Sequence, residues 1–149
     1  MIRIDRVDYA TGKALCMYML PMHYDELTQH KELMSINPDD ALYSAIEKNG
    51  GLIVLVMFSD SVVIGYSVNM LTHSMHYVGT RICKNDLFFI HPDYRHGRNG
   101  LRLINETKRI GKESGGQLMM WHAKQYTPMA AMLERLGCAV QEITYSEVM

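Results

Sequence analysis

The sequence is short of cysteine, long apolar runs and net charge, and it has no linker; each lack removes a class of protein. Cys16, Cys83 and Cys138 are odd in number, far apart and form no Cys-x-x-Cys pair. They read as small core residues in a reducing compartment, with no disulfide framework and no shared metal site. The longest apolar stretch, Leu52 to Phe58, falls well below the ~20 residues of a membrane-spanning helix, and the opening Met-Ile-Arg-Ile-Asp-Arg lacks an apolar signal core. A cytoplasmic protein with no membrane partner is therefore expected. A formal charge of −1 gives no global pull toward nucleic acid or anionic lipid, so any basic site must be local. No repeat or low-complexity tract interrupts the 149 residues, which suits one domain over 1–149.

What is present is an alternation of strand-like and helix-like segments. Residues 2–7 could form a first strand, and 24–34 and 39–48 read as helices, the second opened by Asn37-Pro38-Asp39 and closed by Asn49-Gly50-Gly51. Residues 52–58 are a buried-type strand, and after the turn Ser59-Asp60-Ser61 the chain returns as 62–71. Residues 72–80 are polar and weakly patterned, the best candidate for a mobile loop. A strand over 81–91, a helix over 99–114, a strand over 117–123, a helix over 128–136 and a last strand over 138–145 complete the order β-α-α-β-β-β-α-β-α-β. This is an α/β chain with a mixed sheet and helices on both faces. The thirteen methionines read as adaptable core filler, with a Met-rich binding surface as the other reading.

The chemistry concentrates where the strand ending Asp86-Leu87-Phe88-Phe89-Ile90 runs through His91-Pro92-Asp93-Tyr94-Arg95-His96-Gly97-Arg98-Asn99-Gly100 into a helix. A helix start has unpaired N–H groups and the positive end of the dipole, both attractive to an anion. Gly97 and Gly100 allow close backbone approach, and Arg95, Arg98 and Arg102 add charge that does not depend on pH. Neither the Gly-Lys-Ser/Thr ending of a Walker loop nor the three glycines of a dinucleotide fingerprint is present. A phosphorylated ligand is one reading, and a surface turn that carries arginines is the other.

This stretch and the element order resemble the GCN5-related N-acetyltransferase family, especially its small single-domain members encoded in bacteriophage and prophage genomes. The resemblance covers residues 53–145. The family signature [RQ]-x-x-G-x-[GA] falls on Arg95 and Gly100, with Arg98 in place of the first signature glycine and Gly97 one position earlier. It implies that Arg95, His96, Gly97, Arg98, Asn99, Gly100 and Leu101 hold the pyrophosphate of acetyl-coenzyme A. Backbone groups of Phe88, Phe89 and Ile90 would bind its pantetheine arm and thioester oxygen as an oxyanion hole. Arg98 could either reach a phosphate or occlude the pocket. A second stretch, Tyr126 to Cys138, is similar to the family's Asn-x-x-Ala-x-x-x-Tyr-Glu-Lys-x-Gly-Phe segment, but Leu133 takes the place of the tyrosine that is the family's usual general acid.

For the base, the sequence offers His91, His122, Asp86, His73 and His76. His122 ends the strand expected to splay from Phe88 to Ile90, and a histidine can take a proton near neutrality; a strand-end histidine bonded to a loop carbonyl is the plainer reading. Asp86 stands two and four residues before Phe88 and Ile90, so alternation gives it their face, where it could orient an amine or form a salt bridge. Tyr126 is the candidate substitute acid or pantetheine contact, or a packing tyrosine. His91 is expected to serve structure or cofactor contact. The His73 and His76 pair has no third ligand nearby, and no metal is expected.

The resemblance implies an acetyl-coenzyme A dependent N-acetyltransferase that transfers acetyl directly to a primary amine, whether of a small molecule, a protein or a nucleobase. A noncatalytic binding protein of the same fold acting on a host partner is the alternative, supported by Leu133 and Arg98. Nucleic acid enters only as a substrate, since the arginine-bearing helix carries no interleaved aromatics. The expected sheet edge could be covered by a second copy, giving a homodimer.

Overall fold

A computed structural model describes residues 1–149. The chain opens with strand β1 (Ile2–Val7), then helix α1 (Tyr9–Cys16), a 3₁₀ turn (Met17–Met19), α2 (Leu20–Leu27) and α3 (Asp40–Lys48). Strands β2 (Leu52–Ser59), β3 (Val62–His73) and β4 (Arg81–Ile90) follow. A 3₁₀ turn (Pro92–Tyr94), α4 (Asn99–Glu113), β5 (Leu118–Met120) and α5 (Pro128–Arg135) complete the order. No helix is long and apolar enough to cross a membrane.

The five strands lie in chain order, antiparallel from β1 to β4, with β5 parallel to β4 after the α4 crossover. Every residue from Leu52 to Phe58 is buried, because the sheet is covered on both faces and β2 lies inside it. Val54, Val56, Tyr66, Val68 and Phe89 meet Tyr9, Cys16 and Met19 on one face. On the other, Ile53, Leu55, Met57, Ile64, Cys83 and Ile90 meet Leu103 of α4. The buried stripe of α4 is Leu103, Ile104, Thr107 and Gly111, while Leu101 and Ile110 are only half-buried. Gly111 is small because a Cβ there would stand 3.0 Å from Cys83 Sγ.

The mixed α/β class is what the structure has, with helices on both faces, but the order is β-α-α-α-β-β-β-α-β-α. The helix expected over 24–34 is displaced to Leu20–Leu27, and α1 was not foreseen. It starts where the Asp8 carboxylate accepts from the Thr11 amide at 2.7 Å. The expected strand over 117–123 shortens to Leu118–Met120. The strand expected over 138–145 is absent: those residues are exposed, and none after Cys138 makes a backbone pair. Apolar alternation alone does not make a strand without a neighbour to pair with.

The feature that shapes the site is a bulge. Along β3 and β4 the register steps between Val68 and Asn69: Leu87 faces Val68 and Asn85 faces Asn69, leaving Asp86 without a partner. Pairing of β4 with β5 stops at Lys84, immediately before it. A bulge bends and twists its strand, so the parallel neighbour cannot follow, and the sheet splits from Asn85 onward.

Candidate functional site

Beyond the split, β4 runs on to Ile90 with its β5 side open. The His91 amide donates to the Ile64 carbonyl on β3 at 2.8 Å, so by alternation the main-chain groups of Phe88 and Ile90 face the opening. The Phe89 carbonyl faces β3, where a Cβ on Gly65 would lie 2.8 Å from it. Of the expected backbone trio, Phe88 and Ile90 therefore present donors to the cleft, and Phe89 contributes its buried ring instead.

The turn after β4 is built from local bonds. His91 Nδ1 accepts from the Asp93 amide at 3.3 Å, the Arg95 amide reaches the Pro92 carbonyl at 3.2 Å, and the buried Asn99 side chain donates to the Tyr94 carbonyl at 2.9 Å. Gly97 takes a φ of +66°, which L side chains rarely adopt. Arg98 follows at φ −111°, as the residue that opens α4, in a conformation open to any side chain. Arg98 at the signature position thus carries no backbone strain, because the left-handed residue of this turn is Gly97. No amide from His96 to Leu101 donates to a protein acceptor, and no side chain caps α4. A run of free N–H groups at the positive end of a fifteen-residue helix has the chemistry to cradle an anion. Arg98 is exposed and makes no ion pair, and Met132 of α5 lies over Gly100, whose Cβ would be 2.9 Å from Met132 Cε.

Arg95 has a different task from the phosphate fork expected of it. Its Nε donates to the Ile90 carbonyl at 2.8 Å, and its two terminal nitrogens grip Glu26 of α2 at 2.9 and 2.6 Å. The guanidinium also lies over the Phe89 ring, 5.1 Å from its centroid. Both its amide and its side chain are used within the protein, and the side chain clasps α2 to the end of β4.

His122 stands just past β5, exposed, with Nδ1 2.7 Å from the Asn85 carbonyl. A carbonyl only accepts, so Nδ1 carries the proton of the neutral ring and Nε2 keeps its lone pair. Asp86 was expected on the face of Phe88 and Ile90, and that is corrected by the bulge. Its carboxylate accepts from Tyr43 of α3 at 2.6 Å, on the α1–α3 face, whereas Phe88 and Ile90 pack toward α4. Burial and the Asp86 carboxylate push the Tyr43 phenol far above its ordinary range, so it stays a donor. Its ring stacks on Tyr9 at 4.7 Å. Asp86 and the carbonyl that His122 touches thus belong to adjacent residues of the bulge. Tyr126 is not brought to them: it is 96% exposed, at φ +61°, and makes no hydrogen bond. Leu133 is buried.

Tyr43, His23 and Tyr66 were missed because each partner lies 43 residues away and no local pattern marks the contact. His23 Nδ1 lies 2.6 Å from the Tyr66 hydroxyl, and its ring stacks on Phe89 at 4.8 Å. Burial lowers its pKa from the ordinary 6.5 to about 4, with Glu26 opposing and Arg95 reinforcing the shift. The folded state therefore refuses a proton that the unfolded chain accepts. This contribution to stability is complete above pH 6.5 and is lost as the pH falls through about 4. Urea unfolding of the protein and of His23→Phe should show a stability gap that narrows from pH 7.5 to pH 4.5; a constant gap excludes the effect.

No protein-family model matches the chain, and no curated protein matches it either. Solved structures do match in fold. A ribosomal-protein-alanine N-acetyltransferase from Brucella melitensis biovar Abortus superposes with a TM-score of 0.77 at 15% identity, covering 100% of this chain and 98% of that one. An aminoglycoside N-acetyltransferase in complex with coenzyme A gives 0.69 at 16% identity, covering 100% and 95%. A GNAT family acetyltransferase from Staphylococcus aureus gives 0.68 at 14% identity, covering 99% and 98%. The fold is that of the GNAT acetyltransferases.

Proposed function

We propose that the chain is an acetyl-coenzyme A dependent N-acetyltransferase, moving acetyl directly from the thioester to a primary amine. The observation that carries this reading is the split between β4 and β5, which opens beside a cradle of unpaired amides from His96 to Leu101. The residues present fit the cofactor: the cradle and Arg98 suit its phosphates, and the main-chain groups of Phe88 and Ile90 suit its pantetheine arm and thioester oxygen. When bound, acetyl-coenzyme A supplies an activated acyl group and a thiolate that can leave. His122 Nε2 takes the proton from the attacking amine, as the carbon–nitrogen bond forms and the carbon–sulfur bond breaks. Asp86, held by Tyr43, orients the acceptor. Tyr126 or water would supply the proton to the departing thiol, since Leu133 has none to give.

The acceptor is a small amine, a protein amine or a nucleobase amine. The named relatives act on aminoglycosides and on a ribosomal protein, which places both small and protein amines in the first panel to be tried. Leu133, buried where the family carries its acid, favours a second reading: a binding protein of this fold that acts on a partner. Calorimetric titration with acetyl-coenzyme A, followed by thiol release over that panel, separates them. Binding with amine-dependent release supports the enzyme, binding without release supports the second reading, and no binding sinks the first.

A homodimer fits the free outer edge of β5 and the exposed, unpaired segment 138–149, which together supply an edge and a strand-like chain. Light scattering of the full chain should give twice the monomer mass, and a monomer mass rejects the dimer.

A further inference from the structure

Four polar residues, Ser67, Asn69, Asn85 and Thr107, are 0% exposed between the sheet and α4, in a core that is otherwise apolar. Burying polar groups is unfavourable unless they satisfy one another or a main-chain group that would otherwise be left without a partner. At the bulge, main-chain carbonyls lie within reach of these side chains. Where the register steps, the carbonyls of Val68 and Leu87 flank a position at which the β3–β4 ladder is broken. Asn85 Nδ2 lies 3.0 Å from the Leu87 carbonyl and 3.4 Å from the Val68 carbonyl, one on each strand. The same nitrogen is 2.9 Å from Asn69 Oδ1 and 3.4 Å from Ser67 Oγ, and Thr107 Oγ1 donates to Ser67 Oγ at 3.1 Å from α4.

The orientation of this amide is decided by its surroundings. Turned over, Asn85 Oδ1 would face the Leu87 and Val68 carbonyls and Asn69 Oδ1, acceptor against acceptors. It is held with Nδ2 inward even though Oδ1 is then buried without a partner. A side chain that leaves one of its own atoms unsatisfied to serve both sides of a bulge acts as a staple. On its main-chain side, the same residue presents the carbonyl that accepts from His122 Nδ1, and the next residue is Asp86.

We propose that Asn85 is the positioning residue of this site: by stapling the bulge it aims its own carbonyl at His122, fixing the imidazole with the proton on Nδ1 and Nε2 free. The use of that free nitrogen as a base rests on the acetyltransferase reading; the tautomer does not. In Asn85→Ala, the bulge loses its staple, the carbonyl turns away and His122 returns to the Nε2–H form of an unpartnered imidazole.

The experiment is long-range proton–nitrogen correlation NMR on the full chain labelled with ¹⁵N-histidine, at a pH where the rings are neutral, with His122 assigned from His122→Gln. The expected result is Nδ1–H for His122 in the natural protein and Nε2–H in a folded Asn85→Ala. Nε2–H in the natural protein, or Nδ1–H retained in Asn85→Ala, overturns the proposal. Where Asn85→Ala does not fold, Thr107→Val loosens the same network from α4 and should show a measurable Nε2–H population; Nδ1–H alone in that variant overturns the proposal as well. Acetyl-coenzyme A takes no part in the measurement. A chain that fails to bind it yet holds His122 as Nδ1–H loses the enzymatic reading and keeps the staple.

Discussion

Replacing Gly97 by valine lowers the affinity for acetyl-coenzyme A by at least about 100-fold while leaving the fold in place. Gly97 sits at φ +66° with nothing within 4 Å of the position a Cβ would take, so the substitution acts on the backbone and not through a clash. A left-handed conformation costs an L residue about 1–2 kcal/mol, and a β-branched residue tolerates it least. The turn relieves that strain by moving to negative φ, and this swings the amides from His96 to Leu101 out of convergence. Each hydrogen bond to a charged group contributes about 1.5–3 kcal/mol, so losing two removes roughly 3–6 kcal/mol, or about two to four powers of ten in affinity. Gly97 itself is exposed and a Cβ there would touch nothing, so thermal unfolding should shift by only a few degrees. Calorimetric titration of the two proteins checks this, and an unchanged affinity means that the cradle does not hold the phosphates.

His122→Ala should act in the opposite way, lowering turnover by about 10²- to 10⁴-fold with cofactor affinity changed by less than about 3-fold. The ring is exposed and its one recorded bond is to the Asn85 carbonyl, so its removal disturbs neither the cradle nor the core. Turnover falls because the attacking amine must lose its proton and no other ring nitrogen is held at the split. Thiol release measured at saturating cofactor and amine reads the effect directly. Turnover equal to that of the natural protein removes His122 from the mechanism and directs attention to Asp86.

Much of this arrangement could be read from the sequence wherever the signal was local. Leu52 to Phe58 announced a strand covered on both faces, Asp39 marked the start of α3, and Gly137, at φ +81°, closed α5. The run from Ile90 to Gly100 announced its turn and helix start. What could not be read depends on contacts distant in the chain. Helix α1 carries Gly12 in its middle, a poor helix residue, because a Cβ there would stand 2.6 Å from Val54 Cγ1 of β2; tertiary packing overrides propensity. Arg95 looks like a free cation until Glu26, 69 residues earlier, is brought against it. The face of Asp86 was misjudged because counting by twos assumes an unbroken ladder, and a bulge leaves no mark in composition.

That bulge comes down to arithmetic. The ten residues of β4 lie against partners running from Gly65 to His73, one fewer than a continuous ladder needs. The cleft is therefore the geometric product of one surplus residue, which the Asn85 side chain then holds in place. Point substitutions can tune what the opening holds. A single deletion at this step would bring the strands back into register, let β5 continue alongside β4 and close the cleft, with every residue of the anion turn still in place.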